Sequence, residues 1–86
     1  MAGVEEVRAG VSLANQKMQE GIAALQQTAT VLEEAQSALA EATAGSAQEE
    51  MLHAHGMLAE AIQTLSGVQG SLNTTINSTE AYAGRL

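Results

Sequence analysis

The chain has 86 residues, of which 45% are hydrophobic, and seventeen of these are alanines. Ten glutamates against three basic residues give a net charge of −7, which argues against a nucleic-acid backbone or an anionic membrane as the partner. The chain has no cysteine, which excludes disulfides, thiolate metal sites and thiol catalysis, and no proline, so nothing forbids long helices.

Residues from Val4 to about Thr43 are predicted to form one long helix. Apolar or small side chains alternate there in steps of three and four, which is typical of a helix that buries one face. The large members repeat every seven residues: Val4, Val11, Met18, Leu25, Leu32 and Leu39. We call a series of residues with a step of seven a ladder. A companion ladder of mostly small residues accompanies this large one: Val7, Ala14, Gly21, Thr28, Ala35 and Ala42.

A short turn at residues 44–46 is predicted to end this helix. Gly45 can adopt the left-handed conformation that closes a helix. Ser46 and Glu49 have the spacing of a capping box, which predicts a second helix from about residue 47 to residue 82. Because the connection is short, the two helices are expected to be antiparallel neighbours.

The second helix carries a matching pair of ladders. Its large ladder is Met51, Leu58, Leu65, Leu72, Thr79 and Leu86, and its companion ladder is Gln48, His55, Ile62, Gln69, Ile76 and Ala83. The large ladders are mirror images about Gly45, which predicts that Leu25 faces Leu65 and that Leu32 faces Leu58. The sequence therefore predicts an all-α fold, with residues 1–86 forming a single coiled-coil-like antiparallel hairpin.

More apolar residues are present than one hairpin can cover. We call the contact between the two helices the seam. The larger apolar residues predicted to lie outside it are Ile22, Val31, Leu52 and Val68. Uncovered apolar patches usually mark an interface. These four residues are therefore predicted to bind a partner, most simply a second hairpin that completes a four-helix bundle as a homodimer or a heterodimer.

The candidate chemical groups are few. His53 and His55 are two residues apart and point to different helix faces, and Glu49 with His53 offers only two ligands on an open surface. We therefore predict no metal site, no cofactor and no enzymatic activity. His55 is predicted to face Ala35 in the seam, where protonation is expected to destabilise the hairpin. Gln69, predicted opposite Gly21, either specifies register or reaches solvent.

The N-terminal residues lack the basic segment and apolar run of a cleavable signal peptide. The apolar stretches are too short to span a bilayer. We therefore expect a protein that does not insert into membranes and that lies in the cytoplasm before any export.

The acidic, cysteine-free, alanine- and glutamine-rich composition and the two matched helices resemble those of the WXG100 (ESX-like) proteins of type VII secretion systems in actinobacteria and their relatives. The resemblance covers the whole chain at the level of architecture. The family's Trp-x-Gly turn is replaced by Ala44-Gly45-Ser46, and Leu86 follows Tyr82 where the family's export signal has an acid. The resemblance implies a dimerising helical hairpin that is secreted or that accompanies secretion, with a larger toxin or a secretion component as a further partner.

The leading hypothesis is therefore a non-enzymatic interaction protein associated with type VII export, either a secreted substrate or the partner or chaperone of a larger effector. Two alternatives stay open at this point. One is a structural subunit that self-assembles through the apolar stripe. The other is an intracellular acidic adaptor or antitoxin that sequesters a basic partner.

Overall fold

The chain folds into a long helical hairpin. A computed structural model describes residues 3–46 and 48–86, in which helix α1 spans Val4–Ala42 and helix α2 spans Glu49–Gly84. The described residues contain no strand. The molecule is a rod of 63 × 18 × 16 Å. The predicted all-α antiparallel hairpin is confirmed, and the predicted helix bounds differ from these by only one or two residues.

The turn remains hydrogen-bonded to the end of α1. The N–H of Thr43 donates to the carbonyl of Leu39 at 3.0 Å, and the N–H of Ser46 donates to the carbonyl of Thr43 at 2.9 Å. Gly45 has a φ of +83°, the left-handed conformation predicted for it. The chain therefore crosses to α2 only after Gly45.

The predicted capping box does not form. Gln48 is the N-cap residue of α2, and no side chain caps this end. Ser46 lies two residues before this N-cap position, and its hydroxyl accepts only the N–H of Gln48, at 3.4 Å. Glu49 is the first helical residue, where its charge favours the positive end of the helix dipole. The start predicted at residue 47 falls on Ala47, which lies outside the described residues.

The seam between the helices is thin. Ile22 and Ile76 are buried, at 7% and 4% exposure, and the other seam residues are half-buried. On α1 the seam ladders are Val11, Met18, Leu25, Leu32 and Leu39, with Asn15, Ile22, Ala29, Gln36 and Thr43. On α2 they are Met51, Leu58, Leu65, Leu72 and Thr79, with His55, Ile62, Gln69, Ile76 and Ala83.

The companion ladder predicted for α1 is displaced by one residue over most of its length, although its members Val7 and Gly21 are half-buried. Ala14, Thr28 and Ala35 are exposed, and the residues that follow them in sequence lie in the seam instead. The assignment of Ile22 to a partner interface is therefore also wrong, because this side chain is buried within the hairpin. Val4 was predicted in the seam and is 46% exposed. A step of seven accommodates either companion ladder, and the larger Ile22 side chain favours the one that buries it.

The register also differs from the predicted mirror. The Thr79 hydroxyl donates to Asn15 Oδ1 at 2.6 Å, whereas a mirror about Gly45 would set Thr79 against Val11. With Asn15 opposite Thr79, every seam residue of α1 has a seam counterpart on α2 at the same distance from position 47 of the sequence. Leu25 then lies opposite Gln69 and Leu32 opposite Ile62. The centre moves toward α2 because the turn stays attached to α1.

Candidate docking surface

One flank of the hairpin carries polar grooves. One groove is lined by Gln26, Ala29, Thr30, Glu33, Ile62, Ser66 and Gln69. A second, nearer the chain termini, is lined by Arg8, Val11, Ser12, Asn15, Glu80 and Ala83. The α1 residues Ser12, Gln26 and Glu33 differ by multiples of seven, as do Ser66 and Glu80 on α2, so the two grooves lie on the same side of the seam.

The opposite flank carries no charge. We call it the uncharged flank, and it consists of two ladders with a step of seven: Val7, Ala14, Gly21, Thr28, Ala35 and Ala42 on α1, and Ala54, Ala61, Val68, Thr75 and Tyr82 on α2. In an antiparallel pair the residues that precede the seam on each helix meet on the same side. These eleven residues therefore border the seam along the whole rod.

Large apolar side chains lie exposed on and beside this flank. Val68 and Tyr82 are 42% and 48% exposed, and the adjacent Val31 and Met57 are 55% and 58% exposed. All ten glutamates and the three basic residues are exposed as well, but none belongs to the uncharged flank. The flank itself is thus made mostly of alanine, valine and threonine, and the positions beside it hold charged residues (Lys17, Glu50 and Arg85) as well as Val31 and Met57.

The predicted partner residues separate into three groups. Val68 lies on the uncharged flank and Val31 lies beside it. Leu52 is 62% exposed but lies on the side of the polar grooves, and Ile22 is buried. The prediction omitted Met57 and Tyr82. The ladder from Ala54 to Tyr82, with no charge at any step, is the sequence signal that could have found this flank.

A polar contact joins the helices near the turn. His55 Nε2 lies 3.0 Å from Thr43 Oγ1, and the Thr43 hydroxyl donates to the carbonyl of Leu39 at 2.7 Å. Because a hydroxyl has one hydrogen, His55 must donate its Nε2–H for both bonds to form. The destabilisation expected from charging His55 in the seam stays a prediction.

A second polar contact lies near the other end. The Thr79 hydroxyl also lies 2.9 Å from the carbonyl of Ile76, so its single hydrogen is shared between that carbonyl and Asn15. Gln69 makes no comparable contact across the seam among the described residues, and it lines a groove that is open to solvent. Two cross-helix hydrogen bonds therefore lie in the seam, one toward each end of the rod.

The described residues offer little for bond-making chemistry. Among them, no three histidine or acidic side chains converge in a group that could hold a metal ion. His53 is exposed on α2. No helix among residues 3–46 and 48–86 is long and apolar enough to cross a bilayer. The two ion pairs, Arg8–Glu5 and Lys17–Glu20, are 3.7 Å long and exposed, so they stabilise the helix only weakly.

The feature best suited to recognition is therefore the uncharged flank. It is long, continuous and bordered by exposed valine, methionine and tyrosine side chains. Comparisons of this chain with protein-family models, with curated proteins and with solved structures find no match.

Proposed function

We propose that this protein is a non-enzymatic interaction module that docks a second helical hairpin on its uncharged flank. The observation that supports the proposal is the separation of charge from apolar surface. The six α1 positions and five α2 positions of the flank carry no charge, although thirteen charged residues occur elsewhere on the rod. Interfaces are depleted of charge at their centres, whereas a solvated helix face carries it.

The thinness of the core supports the same proposal. Only Ile22 and Ile76 among the described residues are buried. Small domains that bury so little apolar surface commonly depend on oligomerisation for stability. A second hairpin would cover the exposed valine, methionine and tyrosine side chains and convert a two-layer rod into a four-helix bundle.

The dimensions of the flank suit a partner of this kind. A rod 63 Å long and 18 Å wide offers a side of roughly 1,000 Å², comparable to the about 800 Å² per partner that standard interfaces bury. A second copy is the simplest occupant, because an uncharged flank can pair with itself without placing glutamates against each other. A related hairpin of another sequence would satisfy the same geometry.

The biological setting proposed from the sequence resemblance is type VII secretion. In that setting the hairpin would be a secreted substrate, or the partner that accompanies a larger toxin. The support for this setting is the resemblance of the composition and of the two matched helices to those of WXG100 proteins.

Introduction of charge into the flank tests the docking surface. In Val68→Glu, each copy places a glutamate in the contact, so we expect the dimer to weaken at least 10-fold because a buried unpaired charge is costly. Gln63→Glu is the matched control, since it adds the same charge to an exposed position outside the flank. Sedimentation equilibrium of both variants and of the unmodified chain measures the association constants.

Three outcomes would contradict self-docking on the uncharged flank. They are a monomer at all concentrations for the unmodified chain, equal association of the two variants, and growth beyond a dimer. Such growth would favour the structural-subunit alternative.

The salt dependence of association is a second test. Self-association through an uncharged flank should tighten as salt screens the repulsion between chains of net charge −7, whereas an acidic adaptor would release a basic partner at high salt.

A further inference from the structure

The seam ladders permit a second register that the helices do not occupy in this structure. In the observed register Leu25 lies opposite Gln69, and the hydrogen bond between Asn15 and Thr79 fixes the alignment. An alignment that is symmetric about Gly45 differs from the observed one by a slide of one helical turn. It sets Leu25 against Leu65 and Leu32 against Leu58, so large apolar side chains meet along the rod.

The two registers use the same α2 surface and a different edge of α1. In the second register the α1 ladder of Val11, Met18, Leu25, Leu32 and Leu39 stays in the seam. The small ladder that includes Ala14, Gly21 and Ala35 replaces the one that includes Ile22 and Gln36. The change requires a slide of four residues, about 6 Å, and a rotation of α1 by about 50°. One-turn slides of packed helices of this size are known switching motions.

The burial pattern shows what each register gains. The observed register buries Ile22 but leaves Val4 46% exposed and Leu86 40% exposed. The second register would pair those two terminal side chains with each other. It would also remove Asn15, Gln36 and Thr43 from the seam and bring in only one polar side chain, Thr28. Apolar burial alone therefore does not decide between the two registers.

The cross-helix hydrogen bonds do favour one of them. Thr79 and Asn15, 2.6 Å apart, lie directly opposite each other in the observed alignment, and Thr43 contacts His55, at 3.0 Å, one turn beyond its counterpart Met51. Sliding α1 by one turn separates both pairs. Buried polar contacts are known to specify register in coiled coils at some cost in stability.

We propose that the two helices of the hairpin can pack in two alternative registers, and that the Asn15–Thr79 and Thr43–His55 hydrogen bonds hold them in the observed one. The second register lies one helical turn away and has leucine facing leucine. The proposal concerns the isolated hairpin and does not depend on the docking of a partner. It has a consequence for the uncharged flank, since the slide would move the α1 half of that flank into the seam.

Engineered disulfides can measure the register, because the chain has no cysteine of its own. The pair Leu25→Cys with Gln69→Cys reports the observed register, and the pair Leu25→Cys with Leu65→Cys reports the second one. Each disulfide is equilibrated in a glutathione buffer at high dilution, and its effective concentration is determined on the monomeric species. The ratio of the two effective concentrations follows the register equilibrium.

Removal of the two hydrogen bonds should shift that ratio. Thr43→Val with Thr79→Val preserves side-chain shape and removes both bonds, so we expect the ratio to move toward the Leu65 pair by about 30-fold, as two bonds of about 1 kcal/mol each imply. Thr30→Val with Thr64→Val is the matched control. Those hydroxyls donate only to carbonyls of their own helices, at 3.2 and 2.9 Å, and lie outside both seams.

An unchanged ratio in the Thr43→Val, Thr79→Val variant would overturn the proposal, as would an equal shift in the control. A failure of the Leu65 pair to form any disulfide in either background would also overturn it. Circular dichroism of the reduced variants identifies any that fail to fold. In that event the same ratio is measured with Thr79→Val alone, where a shift of about 5-fold is expected from one bond.

Discussion

At the scale of single residues, Gly45 is the one described position where the backbone demands glycine. Its φ of +83° lies in the region that other residues enter only with strain. No neighbouring atom would contact an added Cβ there, so the penalty for a side chain comes from the backbone alone.

The substitution Gly45→Ala should therefore lower the free energy of unfolding by about 1 kcal/mol. Gly56→Ala is the matched control, because Gly56 lies inside α2 with open space around it. There alanine should raise the free energy of unfolding by up to about 1 kcal/mol through its better helix propensity. Urea denaturation of both variants measures the difference, and a loss of stability of the same size in both would refute the role given to the turn.

The polar seam residues show why single-residue roles are hard to predict from sequence. Thr43 was assigned to the end of the helix, and its hydroxyl instead connects His55 to the carbonyl of Leu39. Asn15 was not singled out at all. Each of these contacts depends on the alignment of two segments that are far apart in sequence, which local patterns do not determine.

At the scale of the helices, stability is concentrated at two isoleucines. Ile22 and Ile76 are the buried side chains of the described hairpin, at 7% and 4% exposure. They lie in neighbouring layers of the seam, one on each helix. Their removal would leave a cavity in a core only two helices thick.

We expect Ile76→Ala to lower the free energy of unfolding by about 2–4 kcal/mol, as large-to-small changes in cores do. Met57→Ala, on the same helix and 58% exposed, should change it by less than about 0.5 kcal/mol. Thermal unfolding followed by circular dichroism compares them. Similar midpoints for the two variants would mean that the seam is not the core of the molecule.

The sequence predicted three of the four seam ladders and both helices. It could not choose the fourth, because Ala14 and Asn15 begin ladders with the same step of seven. Leucine-on-leucine symmetry favoured the mirror about Gly45, whereas the helices adopt an alignment that buries Ile22 and pairs Asn15 with Thr79. Periodicity thus determines which helix face is apolar. The turn and the polar contacts determine the register in which the two helices align.

At the scale of the whole molecule, charge is distributed unevenly along the rod. Six glutamates lie in the half near the turn, which contains no basic residue: Glu33, Glu34, Glu41, Glu49, Glu50 and Glu60. Arg8, Lys17 and Arg85 all lie in the half that contains the chain termini. Negative charge is therefore concentrated near the turn, and the basic residues lie toward the chain termini.

The candidate docking surface was only partly predictable. An excess of apolar residues was evident from composition, and Val31 and Val68 were assigned correctly to exposed positions. The continuous flank became visible only once the seam register was known, because a shift of one residue on α1 exchanges seam positions for flank positions.

The central claim is that two rods associate side by side through their uncharged flanks. Small-angle X-ray scattering on an absolute intensity scale tests it most directly, since it gives mass and length together. We expect twice the 8.8 kDa mass of one chain with a longest dimension that stays close to 63 Å. A mass of one chain at every concentration, or a length that increases with concentration, would contradict the account.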